Sequence, residues 1–244
     1  MTSAAIEQQL RSSLDRHGFT FMQAADMKQL CGDLTADTDW LPFKASWDDL
    51  REDTYLAANG RCRRRRHAVF SVDRGGRILR KADQPHYQSV EYNPLQGGVE
   101  RWFEPIRPDI GNNPVLRRLL IVSANVFSSA NADTPAWHVE AHQFRIEARP
   151  GQPGLPTPEG VHRDGVDFVL VVMIGRHNIS SGTTSIHAHD GARLGEFTLS
   201  NALDAAWVVD ERVLHGVTPV HAIVPAQPAW RDVLVITYRS RNSA

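Results

Sequence analysis

The segment EGVHRDGVDFVLVVMI, residues 159–174, decides the fold. It passes from Gly, His and acidic residues into an unbroken apolar run from Phe168 to Ile174. That run has the length of a strand and falls far short of the ~20 residues a membrane-spanning helix requires. Both of its alternating faces are apolar, which predicts a strand, Asp167–Ile174, covered on both sides. Working outward, short β-rich segments punctuated by Gly, Asn, Asp and Pro predict further strands near Trp137–Ala148, Thr183–His189, Glu196–Leu199, Ala206–Val209, Val217–Val220 and Asp232–Arg239. The stretch RPGQPGLPTPEG, 149–160, reads as a stiff connection within this set.

Towards the N terminus the texture is helical. Ile6, Leu10, Leu14 and His17 recur at helical spacing up to Gly18, which is placed to end a helix. Phe19–Met22 reads as a short strand, Ala25 to about Thr35 as a second helix, and Asn113–Asn125 as an amphipathic helix with Pro114 in a first helical position. Between them, TYLAANGRCRRRRHAVFSV, 54–72, turns at a Gly into an arginine-rich and then apolar extended segment. Helices first and many short strands later predict a mainly β chain with N-terminal α-helices, built as a jelly-roll or cupin-like barrel flanked by helices. The expected organisation is one domain over 1–244, with 1–130 a mostly helical flank carrying an Arg-rich strand near 61–72, and 135–240 the core barrel.

Composition narrows the function classes. With 41% hydrophobic and 23% charged residues, the chain of 244 residues is ordinary globular material that can bury one sizeable core. Its 27 basic and 28 acidic residues give a net charge of -1, which argues against a nucleic-acid partner held by bulk positive field. Two cysteines, Cys31 and Cys62, are too few for a disulfide framework and too isolated for a zinc motif. The opening MTSAAIEQQL lacks a basic stretch followed by an apolar one, so no secretory leader is expected. A cytoplasmic protein with no membrane partner follows as the expectation.

Eight of the eleven histidines lie between His138 and His221, so imidazole is concentrated in the strand-rich part. Within it, His162-Arg163-Asp164 places an imidazole and a carboxylate two residues apart, on one face of an extended segment. His215, in VLHGVTP, can supply a third ligand from a later strand. Two His and one carboxylate on one face of an octahedral ion leave three positions open, the arrangement used by non-haem Fe(II) oxygenases. The alternative is that all three are satisfied structural residues. Arg231 heads the last strand, RDVLVITYR, on the same face as Val233 and Val235. If it points inward, a buried guanidinium needs an anion, and a carboxylate matches it bidentately. If not, it is a rim residue paired with a local acid.

The set His162-x-Asp164, His215 and Arg231 resembles the motif of the Fe(II)/2-oxoglutarate-dependent dioxygenases. The likeness extends through NGRCRRRRHAVF, HVEAHQFRI, EGVHRDGVDFV, RHNISSGTTSI and VLHGVTPV to RDVLVITYR, and is closest to the bacterial free L-amino-acid hydroxylases typified by L-isoleucine 4-hydroxylase. It covers the chain from about residue 54 to 240 and is weak in the first 50 residues. The resemblance implies a double-stranded β-helix, Fe(II) held by His162, Asp164 and His215, 2-oxoglutarate bound through Arg231, and O2 as oxidant. It further implies hydroxylation of an unactivated C–H bond of a free L-amino acid or cyclic imino acid, with succinate and CO2 as coproducts and no separate side-chain base.

Several other residues bear on the substrate. In the run Arg61, Arg63, Arg64, Arg65 and Arg66, alternation puts Arg61, Arg63 and Arg65 on one face and Arg64 and Arg66 on the other. One set is a candidate to hold a substrate carboxylate, with Arg65 the residue named, against the alternatives of solvated or ion-paired arginines and a nucleic-acid patch. Gln143 and Arg145 share one face of HQFRI and are candidates to bind substrate or 2-oxoglutarate, against the alternative of a structural network. Glu140 and Asp167 are candidate partners for a substrate ammonium. His187 and His189, beside Asp190, form a rival metal site. Two other functions stay open: a cupin-like zinc hydrolase or isomerase, which gives Arg231 no task, and a non-catalytic barrel that binds a small molecule. The expected partner is a small molecule, and the expected assembly a monomer or homodimer.

Overall fold

The structure, a computed structural model, describes residues 2–57, 63–95, 97–130 and 134–240. Its elements run in the order α1 (Ser3–His17), β1 (Phe19–Met22), α2 (Ala24–Cys31), a 3₁₀ turn (Leu34–Ala36), α3 (Trp40–Ala45), β2 (Arg51–Glu52), α4 (Thr54–Ala57), β3 (Arg63–Asp73), β4 (Ile78–Arg80), α5 (Pro108–Gly111) and α6 (Pro114–Ala130). There follow β5 (Ala136–Ala148), β6 (Phe168–His177), β7 (Ile179–Ser181), β8 (Thr183–His187), β9 (Arg193–Thr198), β10 (Ala205–Val209), β11 (Leu214–Val217), β12 (Val220–Ala222) and β13 (Ala229–Ser240).

An eight-stranded antiparallel sheet has the order β1-β10-β6-β13-β5-β3-β2, with β4 beside β3. Two smaller sheets, β11-β8-β9 and β12-β7, pack against one of its faces. The apolar run that opened the sequence reading forms β6, and its two faces do different work. Leu170, Val172 and Ile174 join the large core under the helices. Val169 and Val171 face the smaller sheets and line a cavity between them. A strand buried on both faces needs continuous apolar sequence, and this one has it.

The helices form for local reasons and cover the outer face. Thr2 caps α1 by accepting from the Ala5 N–H, and Gly18 ends the helix at φ 77°. Ile6, Leu10 and Leu14 are its buried stripe. In α6, Val115, Leu116, Leu119 and Leu120 are fully buried against the sheet. The Tyr238 hydroxyl on β13 donates to the Leu120 carbonyl at 3.2 Å, and Trp137 Nε1 on β5 donates to Ser128 Oγ at 2.9 Å. These buried polar tips fix how the helix lies on the sheet.

The jelly-roll expectation holds, with local corrections. The second helix ends at Cys31 rather than Thr35, because the chain leaves helical geometry at Gly32, φ 83°. Val217–Val220 is not one strand: the chain changes sheets there, ending β11 at Val217 and starting β12 at Val220. The division into helical flank and core barrel is also crossed, since β3 pairs with β5 from Arg63↔Ile146 to Asp73↔Ala136 and is a full member of the main sheet. Among the described residues no helix is long and apolar enough to cross a membrane.

Candidate metal centre and its cavity

His162 and Asp164, expected on an extended segment leading into the strand, sit in the loop before β6. What brings them to His215 is one antiparallel bridge. His162 N–H donates to the His215 carbonyl and His215 N–H to the His162 carbonyl, both at 2.9 Å. The two imidazoles then stand with centroids 4.7 Å apart. The turn after Asp164 is made by Gly165 at φ 77°, where a Cβ would lie 2.3 Å from the Tyr92 ring. Left-handed backbone and close approach both demand glycine there. Asp210, in the turn after β10, holds this loop by accepting the N–H groups of Asp164, Gly165 and Val166 at 3.0, 2.8 and 3.1 Å.

The ligand atoms of His162, Asp164 and His215 all lie within 4.8 Å of one another. His162 Nδ1 donates to the Gly160 carbonyl at 3.0 Å, which turns Nε2 towards the cluster. Nε2 lies 3.1 Å from Glu159 Oε1 and 3.5 Å from Asp164 Oδ1. His215 Nε2 lies 3.6 Å from Asp164 Oδ2. Burial opposes a charge on His162, but the Asp164 hydrogen bond and the Asp164 and Glu159 charges prevail and lift its pKa to about 9. Burial, aided by the neighbouring His162 charge, drops His215 to about 4. Burial works against the Asp164 carboxylate too, yet the two histidines hold it well below the usual carboxylate range. The centre thus brings together one carboxylate and two imidazoles, of which His162 favours the protonated and His215 the neutral form. The donor set fits a divalent transition metal that tolerates mixed nitrogen and oxygen ligands.

Gln88 reaches the centre from the opposite wall, donating Nε2 to the Asp164 carbonyl at 3.3 Å and to its Oδ1 at 3.4 Å. Its Oε1 accepts from Arg101 Nη2 at 2.9 Å and Asn93 Nδ2 at 3.1 Å. Glu159, Asp210 and Gln88 were all missed by sequence reasoning. Glu159 had a signal, being three residues from His162 on the same loop. Asp210 and Gln88 are remote in sequence and had none.

Arg231 points inward. It lines the same cavity as the three candidate ligands and is 2% exposed. Among the described residues no acidic side chain lies within ion-pair distance of it, and its Nε is buried without a hydrogen-bond partner. Burial and the nearby Arg176 charge lower its pKa to about 10, against the pull of Asp232. A cation in this state calls for an anion from outside the chain.

The arginine run divides as alternation requires. Arg63 and Arg65 face the cavity. Arg64 turns away to Glu147 at 2.6 Å, and Arg66 to the Pro105 carbonyl at 3.0 Å and Asp49 at 3.5 Å. Arg61 lies outside the described residues. Gln143 and Arg145 require correction. Their face of β5 is the outer one, while Glu140, His142, Phe144 and Ile146 face the cavity. Gln143 Nε2 donates to Ser46 Oγ at 2.7 Å, and Arg145 is bound by Asp232 at 2.7 Å and Asp48 at 2.9 Å. Asp167 is likewise spent, accepting the Ser240 N–H at 2.6 Å. Among the described residues, His187 and His189 join no metal-ligating cluster: they bond to the Gly191 and Glu211 carbonyls at 3.3 and 2.9 Å.

Comparison with known proteins agrees with this geometry. The family model described as 2OG-Fe dioxygenase matches residues 44–237. The chain is 27% identical over 203 residues to a 3(1)-hydroxy-L-isoleucine 4-dioxygenase of Pantoea ananatis, covering 82% of this chain and 81% of that one. It is 26% identical over 200 residues to an L-isoleucine-4-hydroxylase of Bacillus thuringiensis, covering 80% of each. Among solved structures it is similar to a BsmA homologue from Methylobium petroleophilum PM1, with 36% identity, a TM-score of 0.86, and coverage of 99% of this chain and 94% of that one. The family match covers most of the chain, and the solved homologue at 36% identity shares its fold: the chain belongs to the 2OG-Fe dioxygenases.

Proposed function

We propose that this enzyme hydroxylates an unactivated C–H bond of a free L-amino acid or cyclic imino acid, consuming 2-oxoglutarate and O2 and releasing succinate and CO2. The observation that carries the cosubstrate assignment is Arg231, a buried cation without an acidic partner in the cavity that holds His162, Asp164 and His215. In this reading the three side chains hold Fe(II), and Arg231 takes the far carboxylate of 2-oxoglutarate. When bound, iron would supply O2 activation that side chains lack, with O2 the oxidant and 2-oxoglutarate the donor of two of the four electrons it takes up.

The chain's own residues do the rest. Gly160 fixes the His162 tautomer so that Nε2 serves the metal once its proton is displaced. Asp210 keeps the Asp164 loop in shape. Val169, Val171, Val208, Val233 and Val235 make the surrounding wall apolar. Such a wall excludes water from the reacting centre. Arg65, 3% exposed and on the cavity wall, is suited to the substrate α-carboxylate. The relatives act on isoleucine and hydroxyisoleucine, which supports a small free amino acid here. A zinc hydrolase would leave Arg231 without a task.

The test is a screen of free L-amino acids and cyclic imino acids with Fe(II), ascorbate, 2-oxoglutarate and O2. Succinate and hydroxylated product are both quantified. Equal yields of the two for at least one amino acid are expected. Succinate without any hydroxylated amino acid across the panel would remove the substrate assignment.

A further inference from the structure

A second group of histidines surrounds Glu140, and Glu140, His86 and His142 line the same cavity. His67 Nε2 and His86 Nδ1 lie 2.9 and 2.7 Å from Glu140 Oε2, and His138 Nε2 lies 3.5 Å from Oε1. A carboxylate only accepts, so His67 and His86 must each donate. Arg65 Nη2 lies 2.8 Å from His142 Nδ1, and a guanidinium only donates, so that nitrogen must accept. Neutral His142 therefore carries its hydrogen on Nε2, the atom that faces Glu140 Oε2 at 3.7 Å. The imidazole thus separates Arg65 from Glu140, and among the described residues these two make no direct ion pair.

Both ends are left with unused hydrogen-bonding capacity. The Arg65 guanidinium carbon lies over the rings of Phe103 and Phe144, 3.5 and 4.7 Å from their centroids. Its Nε is buried and has no partner. Asp53 lies 3.7 Å away and is already engaged by Arg63 at 3.1 and 2.8 Å. At the other end, Glu140 Oε2 takes two histidine hydrogens, while among the described residues Oε1 has only the 3.5 Å approach of His138. Both residues line the cavity.

We propose that Arg65 and Glu140 are the two poles of a clamp for the zwitterionic end of an α-amino acid. Arg65 takes the carboxylate, Glu140 the ammonium, and His142 is the spacer that stops the poles from neutralising each other. This rests on the hydroxylase reading above and names the residues that select its substrate. A second metal would need the same side chains, since the donor atoms of His67, His86, Glu140 and His142 lie within 4.8 Å of one another. The Arg65 hydrogen bond opposes that use: it leaves His142 Nε2 protonated and places a guanidinium beside the cluster.

The experiment is anaerobic calorimetric titration of the protein loaded with Fe(II) and 2-oxoglutarate. The probes are L-isoleucine, L-leucine and L-proline, each paired with the carboxylic acid of the same skeleton lacking the nitrogen (cyclopentanecarboxylic acid for L-proline). The wild type should prefer at least one amino acid over its partner by roughly 10- to 100-fold, the worth of one charge-assisted hydrogen bond. Glu140→Gln should lose that preference while binding the nitrogen-free acid as the wild type does. Arg65→Met should weaken both members of the pair equally, and carries the test if Glu140→Gln does not fold. A retained preference in Glu140→Gln overturns the clamp, as does a parallel loss of both affinities, which is what a merely structural role gives. So does a second equivalent of bound metal that Glu140→Gln removes. If an amino acid is hydroxylated while the preference survives in Glu140→Gln, only the clamp fails. If no amino acid binds the wild type, the substrate reading fails with it.

Discussion

One cavity is lined by members of two histidine–carboxylate clusters, two His with Asp164 and three His with Glu140, and they differ in where their hydrogens are fixed. Around Asp164, the Gly160 carbonyl takes the Nδ1 hydrogen of His162 and leaves Nε2 facing the carboxylate. Around Glu140, Arg65 occupies the His142 lone pair, and His67 and His86 point their N–H groups at the carboxylate. The first arrangement can exchange a proton for a metal. The second is a fixed array of donors around a negative charge. Composition alone does not separate a metal site from a polar clamp; the second hydrogen bond of each imidazole does.

The contrast breaks most sharply at the ligands. His162→Ala and His215→Ala should each abolish iron binding, succinate and product together, measured by metal content and coupled turnover. His142→Ala should keep its iron. Arg231→Ala comes next: it should keep iron but weaken 2-oxoglutarate by about 2–5 kcal/mol, read as a shift in the half-saturating concentration. Unchanged 2-oxoglutarate affinity would move this role to another cavity arginine such as Arg239.

Arg145 sharpens the contrast from outside the cavity. Arg145→Ala leaves the buried Asp232 without its partner, so it should cost about 3 kcal/mol of stability in denaturant titrations while 2-oxoglutarate and substrate affinities stay at wild-type values. A selective loss of ligand affinity would return Arg145 to the site. The smallest effect is expected at Asp210→Asn. An amide has one oxygen for the three N–H groups that the carboxylate now accepts, so iron affinity should fall roughly 10- to 100-fold with the fold intact. A wild-type metal dissociation constant would show that Gly165 alone shapes the loop.

The fold was legible where the sequence carried a period. The two-sided apolar run became β6, and the spacing of Ile6, Leu10 and Leu14 became the buried face of α1. Alternation also placed Arg231 with Val233 and Val235 on the cavity face. The same rule applied to HQFRI correctly paired Gln143 with Arg145 but could not say which face of β5 was inside. That is decided by pairing with β3 and β13, in which Arg65 lies opposite Phe144 and Val233 opposite the same residue. Likewise, the HxD spacing was read as strand geometry, whereas an isolated bridge to β11 and a left-handed Gly165 bring the ligands together. Contacts closed by loops across a long stretch of chain, such as Gln88 to Asp164, leave no periodic trace in sequence.

The most direct test of the central claim is a count of iron under anaerobic conditions, with 2-oxoglutarate present, in the wild type, His215→Ala and His142→Ala. The assignment of His162, Asp164 and His215 predicts one iron per chain in the wild type and in His142→Ala, with a weak visible charge-transfer band in both, and neither iron nor band in His215→Ala. Iron and band surviving in His215→Ala but lost in His142→Ala would contradict it and put the metal at Glu140.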